Sequence, residues 1–113
     1  MKNKIRIILP YPPSVNALYA TYKGRRILSK EGRQFKKDVG LIVGDTTPTA
    51  NDVVLTVEIY RPRRTSDLDN RLKGLIDSLT GLFYIDDKQI VEIHAYRFED
   101  KDNPRAEVEI QEL

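Results

Sequence analysis

Asp67, Asp69, Lys73 and the pair Asp86-Asp87 are the residues whose types and spacing could do chemistry in this chain. Asp67 and Asp69 stand two apart in Asp67-Leu68-Asp69-Asn70. In extended backbone that spacing points both carboxylates to one face. A second pair, Asp86-Asp87, follows about one helix length later, so a returning loop could bring one of its acids toward the first pair. Carboxylate oxygens with retained waters are what a hard cation such as Mg²⁺ or Mn²⁺ takes. Each acid also has a structural alternative, Asp67 as a helix-entry residue and Asp86-Asp87 as a turn. Lys73 falls one helical turn after Asp69. It is either an ordinary ion-pair partner, worth about 0.3–0.5 kcal/mol when exposed, or a cation at a phosphate where negative charge develops. Asp77, one turn further on, is expected to be a solvated partner of Lys73.

Basic residues surround this acidic stretch. Arg61, Arg63 and Arg64 precede it, and Lys23, Arg25 and Arg26 cluster with Tyr19 and Tyr22 around Gly24. Cations interleaved with aromatics can contact phosphates and stack on bases; an exposed, soluble hairpin tip would look the same. Residues 1–64 hold 13 Lys and Arg against 5 Asp and Glu, and residues 65–113 hold 6 against 12. Such asymmetry points to a polyanionic partner or to two merely solvated faces.

Other chemistries lack their residues. There is no cysteine, hence no disulfide framework and no thiolate site. There is no GxxxxGK[ST] loop and no GxGxxG. His94 is the only histidine and is expected to be structural. Asp67 to Asn70 do not begin an EF-hand, because loop position six is Leu72 rather than glycine. No apolar run approaches a membrane span, and residues 1–9 carry Lys2, Lys4 and Arg6 without a signal-peptide core. A soluble cytoplasmic protein is expected.

At 113 residues the chain is expected to form one domain. Residues 4–9 read as a strand that Pro10-Tyr11-Pro12-Pro13-Ser14-Val15-Asn16 must stop. Residues 19–28 form two short extended pieces around Lys23-Gly24. Ser29 is a plausible N-cap for a helix to about Gly44, with Phe35, Val39, Leu41, Ile42 and Val43 as its apolar stripe. Residues 53–60 are the clearest strand, β-branched and alternating. From Asp69 to Leu82 the period is helical, with Leu68, Leu72, Leu75, Ile76 and Leu79 on one arc and Gly81 as the stop. Residues 88–98 and 105–112 alternate as strands and are expected to pair as an antiparallel hairpin. The expected class is α+β, a mixed sheet of about four strands packed with two helices in the order β-α-β-α-β-β.

Asp67-Leu68-Asp69-Asn70, Lys73 three residues later, Asp86-Asp87 before a strand and Pro12-Pro13-Ser14-Val15-Asn16 after the first strand together resemble the RusA family of Holliday-junction resolvases. The likeness covers nearly the whole chain in the right order. It implies a homodimeric, Mg²⁺- or Mn²⁺-dependent endonuclease that cuts four-way DNA junctions symmetrically during recombination and repair. It implies that Asp67, Asp69 and Asp87 hold the metal and that Lys73 is the catalytic lysine, with Asn16, Asn70 and Asp86 in second rank. The basic residues Lys23, Arg25, Arg26, Arg61, Arg63 and Arg64 become the candidates for phosphate contact. Ser66 stands where some members carry arginine. A non-catalytic DNA-binding protein with a structural acidic patch is the alternative; a metal-dependent transferase lacks a nucleotide-binding fold.

Overall fold

The computed structural model describes residues 4–63 and 68–113, with the backbone alone for residues 15, 16 and 68–70. Arg64, Ser66 and Asp67 therefore lie outside the described residues, as do the side chains of Asn16, Asp69 and Asn70. Among the described residues six strands and three α-helices follow in the order β1 (Lys4–Pro10), α1 (Val15–Leu18), β2 (Tyr19–Tyr22), β3 (Arg25–Leu28), α2 (Lys30–Val43), β4 (Val53–Arg61), α3 (Leu68–Leu79), β5 (Ile90–Glu99) and β6 (Arg105–Glu112). A three-residue 3₁₀ turn, Asp87–Gln89, leads into β5.

Four strands form one mixed sheet in the order β1-β6-β4-β5, and β2 and β3 form a separate two-stranded sheet. β4 has both edges paired, antiparallel to β6 and parallel to β5. The sequence-based expectation of a β5–β6 hairpin is thus corrected: β4 lies between the two strands. β4 buries every second residue on one face, Val53, Leu55, Val57 and Ile59, and its two edges pair with β6 and β5. β6 buries Ala106, Val108 and Ile110 and takes an inner position between β1 and β4. β5 leaves most of its side chains exposed and is the edge. The β4–α3–β5 segment is a βαβ crossover, which parallel strands require.

The core lies on one face of this sheet. Leu9, Leu55, Val57, Ile59 and Val108 pack with Phe35 and Val39 of α2, with Leu75 and Leu79 of α3, and with Phe83 and Tyr84. Phe83 and Tyr84, just past α3, are therefore core residues. α2 departs from its expected stripe. Its buried positions are Gly32, Phe35 and Val39, whereas Leu41 and Ile42 are 72% and 49% exposed. A helix advances about 100° per residue, which puts Leu41 about 120° round from Phe35 and off the buried arc; Ile42 is in phase with Phe35 but sits in the last turn of the helix, half exposed. Ser29 caps α2 by accepting from the Gly32 N–H at 2.9 Å, and Gly44 ends it at φ 72°. On the other face of the sheet Arg6 donates to Glu58 and to Glu107, at 2.7 and 2.8 Å.

A short helix that the sequence pattern does not announce sits between the two long ones. α1 is a single turn capped by Ser14, whose hydroxyl accepts from the Ala17 N–H at 3.2 Å. Its last residue, Leu18, is buried between Gly32 of α2 and Gly74 of α3. A Cβ built on Gly32 would lie 2.2 Å from the Leu18 carbonyl oxygen, and one on Gly74 would lie 2.1 Å from the Leu18 Cδ1. Gly32 is thus required by close approach of backbone, whereas a side chain at Gly74 would displace only the end of the Leu18 side chain. Arg71 reinforces the seat: it donates to the Pro12 carbonyl at 3.0 Å and lies 4.9 Å from the Tyr11 ring centroid. The proline loop is thereby drawn over the start of α3.

Candidate nuclease site

α3 places Lys73 and Asp77 on one face, four residues apart, as the helical period requires. Leu75 and Leu79 on the opposite side anchor that face against the core. Leu72 and Ile76 lie between, half-buried, and with Lys73, Asp77 and Asp87 they line a cavity of about 220 Å³. Asp69 is one turn before Lys73 in the same helix. The described half of the site therefore consists of Lys73, Asp77 and Asp87.

The loop that delivers Asp87 is held by one side chain. Gln89 accepts through Oε1 from the Ile85 and Asp86 N–H groups, both at 2.9 Å. Through Nε2 it donates to the Thr49 and Asn51 carbonyls, both at 2.7 Å. Buried Tyr84 adds a second anchor, donating to the Ile76 carbonyl at 2.7 Å. Burial pushes the Tyr84 hydroxyl pKa up, and the nearby charges of Asp87 and Asp77 push it further. That phenol is a neutral donor beneath the cavity.

The two acids of the pair have different surroundings. Asp86 is the N-cap of the 3₁₀ turn; its carboxylate accepts from the Lys88 N–H at 2.9 Å, and Gln89 completes a capping box. That backbone bond, with a shared hydrogen bond to Asp87, holds the Asp86 carboxyl below the usual range. Asp87 lines the cavity with Lys73. Hence one acid is engaged by the backbone and its neighbour faces the helix.

Asp77 corrects an expectation. Among the described residues its partner is the Tyr19 hydroxyl, which donates to Asp77 Oδ2 at 2.9 Å, and not Lys73. Burial raises the Tyr19 pKa, and the bond to Asp77 raises it further. Tyr19 begins β2, and the Arg26 guanidinium lies 4.4 Å from its ring centroid. Tyr19, Arg26, Lys73 and Asp77 together line a second cavity of about 290 Å³. Sequence reasoning reached Tyr19 only as an aromatic of the basic patch and Asp77 only as a partner of Lys73, and nothing in the sequence marked Gln89.

The basic candidates divide. Lys23, Arg25 and Arg26 are exposed on the β2–β3 hairpin, whose turn has positive φ at Lys23 and Gly24, as a two-residue hairpin needs. Arg63 is also exposed. Arg61 is not a surface cation: it is 7% exposed at the end of β4, 3.5 Å from Glu99. His94 is exposed and pairs with Glu92 at 2.6 Å, outside the cavities described.

Asp87 and Asp77 supply only oxygen donors, as do Asp67 and Asp69 in the sequence. That donor chemistry fits a hard divalent cation and does not fit a soft one. Among the described residues no three acids or histidines converge tightly enough to hold an ion by themselves. Among those residues no helix is long and apolar enough to cross a membrane.

Residues 10–111 match the family described as Endodeoxyribonuclease RusA. The chain is 34% identical over 116 residues to the crossover junction endodeoxyribonuclease RusA of Escherichia coli strain K12, with 98% of this chain and 97% of that protein covered. The enzyme of the same name from Enterobacteria phage 82 matches equally, and that from Enterobacteria phage HK97 is 32% identical over 117 residues.

Proposed function

The chain belongs to the RusA family of endodeoxyribonucleases, and from that premise we infer that it resolves four-way DNA junctions by paired phosphodiester cleavage in recombination and repair. The observation that carries this reading is the convergence of Lys73, Asp77 and Asp87 beside α3, one turn from Asp69. Asp67, Asp69 and Asp87 are the residues that would hold Mg²⁺ or Mn²⁺. The bound ion would supply an activated water and neutralise phosphate charge. Lys73 supplies fixed positive charge at the scissile phosphate, where preorganised cations count most. The Tyr84 anchor and the Gln89 bonds keep Asp87 in place. The Asp86 cap holds the turn that presents it. Lys23, Arg25, Arg26, Arg63 and Arg64 supply phosphate contacts along the junction arms; burial assigns Arg61 to the fold instead.

Two cuts of opposite strands call for two active sites related by a twofold axis, which a homodimer provides. The edge strand β5 supports that reading. It leaves Val91, Ile93, Tyr96 and Phe98 exposed along ten residues, an edge that a lone chain would have to protect.

The test is cleavage of a synthetic four-way junction with Mg²⁺ or Mn²⁺, with linear duplex as control and EDTA as blank. Paired nicks on opposite strands are expected, and Asp69→Asn is expected to bind the junction without cutting it. Wild-type cleavage by Asp69→Asn sinks the assignment. Salt-sensitive binding by the wild-type protein with no nicking would make it a DNA-binding protein with an acidic structural patch.

A further inference from the structure

Lys73 and Asp77 line two adjoining cavities. One leads toward Asp87 and belongs to the site above. The other leads toward the β2–β3 hairpin and is completed by Tyr19 and Arg26. We propose that this second cavity is a subsite for a DNA phosphodiester next to the scissile one, held between Arg26 and Lys73. The proposal rests on the nuclease reading and names which phosphate Arg26 takes.

The argument begins with Arg26. An exposed arginine ordinarily loses much rotamer freedom when it binds, which offsets its charge interaction. Arg26 is instead laid over the Tyr19 ring at 4.4 Å, a cation–π stacking that favours one placement of the guanidinium. Tyr19 is itself fixed by its hydroxyl bond to Asp77, and Asp77 projects from the same helix face as Lys73. The hairpin cation and the helix cation are therefore held in one frame before any ligand arrives, and preorganisation of this kind is what raises affinity.

Charge and shape fit a phosphodiester. The cavity presents two cations and one carboxylate, and Asp77 Oδ2 is already engaged by the Tyr19 hydroxyl. A guanidinium matches phosphate oxygens in two-pronged geometry, and an ammonium acts beside it as a point charge. At about 290 Å³ and open to solvent, the cavity admits one sugar-phosphate unit of a polymer rather than enclosing a small molecule. Because Lys73 belongs to both cavities, the phosphate bound here is a near neighbour of the one being cut. Asp77 and Tyr19 act through Arg26 and are positioning residues.

The experiment is a cycle between protein and DNA. Junctions carrying a single neutral methylphosphonate at successive positions around the cut are bound by wild type and by Arg26→Gln in Ca²⁺, and cleaved by both in Mg²⁺. In the wild type, one position is expected to lose about tenfold in affinity and rate on neutralisation. Arg26→Gln is expected to lose about the same on unmodified DNA and clearly less than a further loss of about tenfold at that one position, where only Lys73 still holds the phosphate. Arg26→Lys keeps charge without the stacked fork and falls in between. Tyr19→Phe keeps the ring but frees Asp77, and is expected to shrink the methylphosphonate effect without lowering the melting temperature as far as a core change does. Additive losses at every position overturn the subsite. Additive losses with normal paired cleavage overturn it alone, whereas a non-additive position in binding without any cleavage overturns the nuclease reading and leaves the subsite standing.

Discussion

Replacing Gly32 and Gly40 by alanine gives opposite results in one helix, and the structure supplies both signs. Both residues are interior to α2. Alanine over glycine in a helix interior ordinarily stabilises by about 1 kcal/mol. At Gly40 nothing lies within 4 Å of the added Cβ, so that gain is realised. At Gly32 the Cβ would meet the Leu18 carbonyl oxygen at 2.2 Å and two further backbone atoms of Leu18 at 3.1 and 3.2 Å. Backbone cannot rotate out of the way, so α1 must move by about 1 Å to regain ordinary contact. That carbonyl also accepts the Ser29 N–H at 2.8 Å, where α2 begins. Losing the bond costs about 1 kcal/mol, and overpacking adds about 1–3 kcal/mol. Against the helix gain, Gly32→Ala is expected to destabilise by about 1–3 kcal/mol. For a chain of this size, about 4 °C follows each kcal/mol. Thermal unfolding by circular dichroism should therefore drop by about 4–12 °C for Gly32→Ala and rise by about 4 °C for Gly40→Ala. Junction cleavage should also fall in Gly32→Ala below the unfolding transition, because α1 carries Asn16 and adjoins Arg71. Equal shifts of the same sign in the two variants would refute the close-approach reasoning.

The remaining predictions concern charge. Asp86→Asn keeps a capping acceptor for the Lys88 N–H, so junction cleavage should stay within about threefold of wild type. Asp87→Asn should lose about hundredfold or more, since a charge-stabilising group at the reacting centre is worth that much; similar rates for the two variants in a single-turnover cleavage assay would reverse their roles. Arg105, with Arg6, holds the Glu107 carboxyl below its usual range. A depressed carboxyl contributes stability above the unfolded-state pKa, about 4.3 for Glu, and loses it as pH falls through the folded value. The melting temperature should therefore fall below about pH 4, and Glu107→Gln should flatten that fall while lowering stability near neutral pH. A Glu107→Gln curve parallel to wild type would show that this cluster does not carry the acid sensitivity.

The sequence was most legible where one period governed an element. β4 alternates cleanly because one of its faces is wholly core, and Ser29 and Gly44 mark α2 by their own capping chemistry. The hairpin turn followed from Lys23-Gly24. Strand pairing was not legible, because alternation records which face is buried and not which neighbour lies alongside. Residues 105–112 alternate equally well beside β5 or beside β4. Leu41 entered the α2 stripe because it is apolar, although its phase places it outward, and Ile42, in phase with Phe35, is exposed because the helix is about to end. α1 left no periodic signal at four residues. Its trace was the glycines, Gly32 and Gly74, whose missing side chains make room for Leu18.

At the site, spacing alone could not rank Asp86 against Asp87. The structure separates them by hydrogen bonding: the backbone takes the first, and α3 faces the second. Nor could spacing pair Asp77 with Tyr19, 58 positions away in the chain. That contact exists because α1 turns the chain between the proline loop and β2, laying the basic hairpin beside α3. The short helix that periodicity missed is thus the element that joins the exposed cations of the hairpin to the Lys73 face of α3. Its seat against Gly32 is where a single methyl group should uncouple the two.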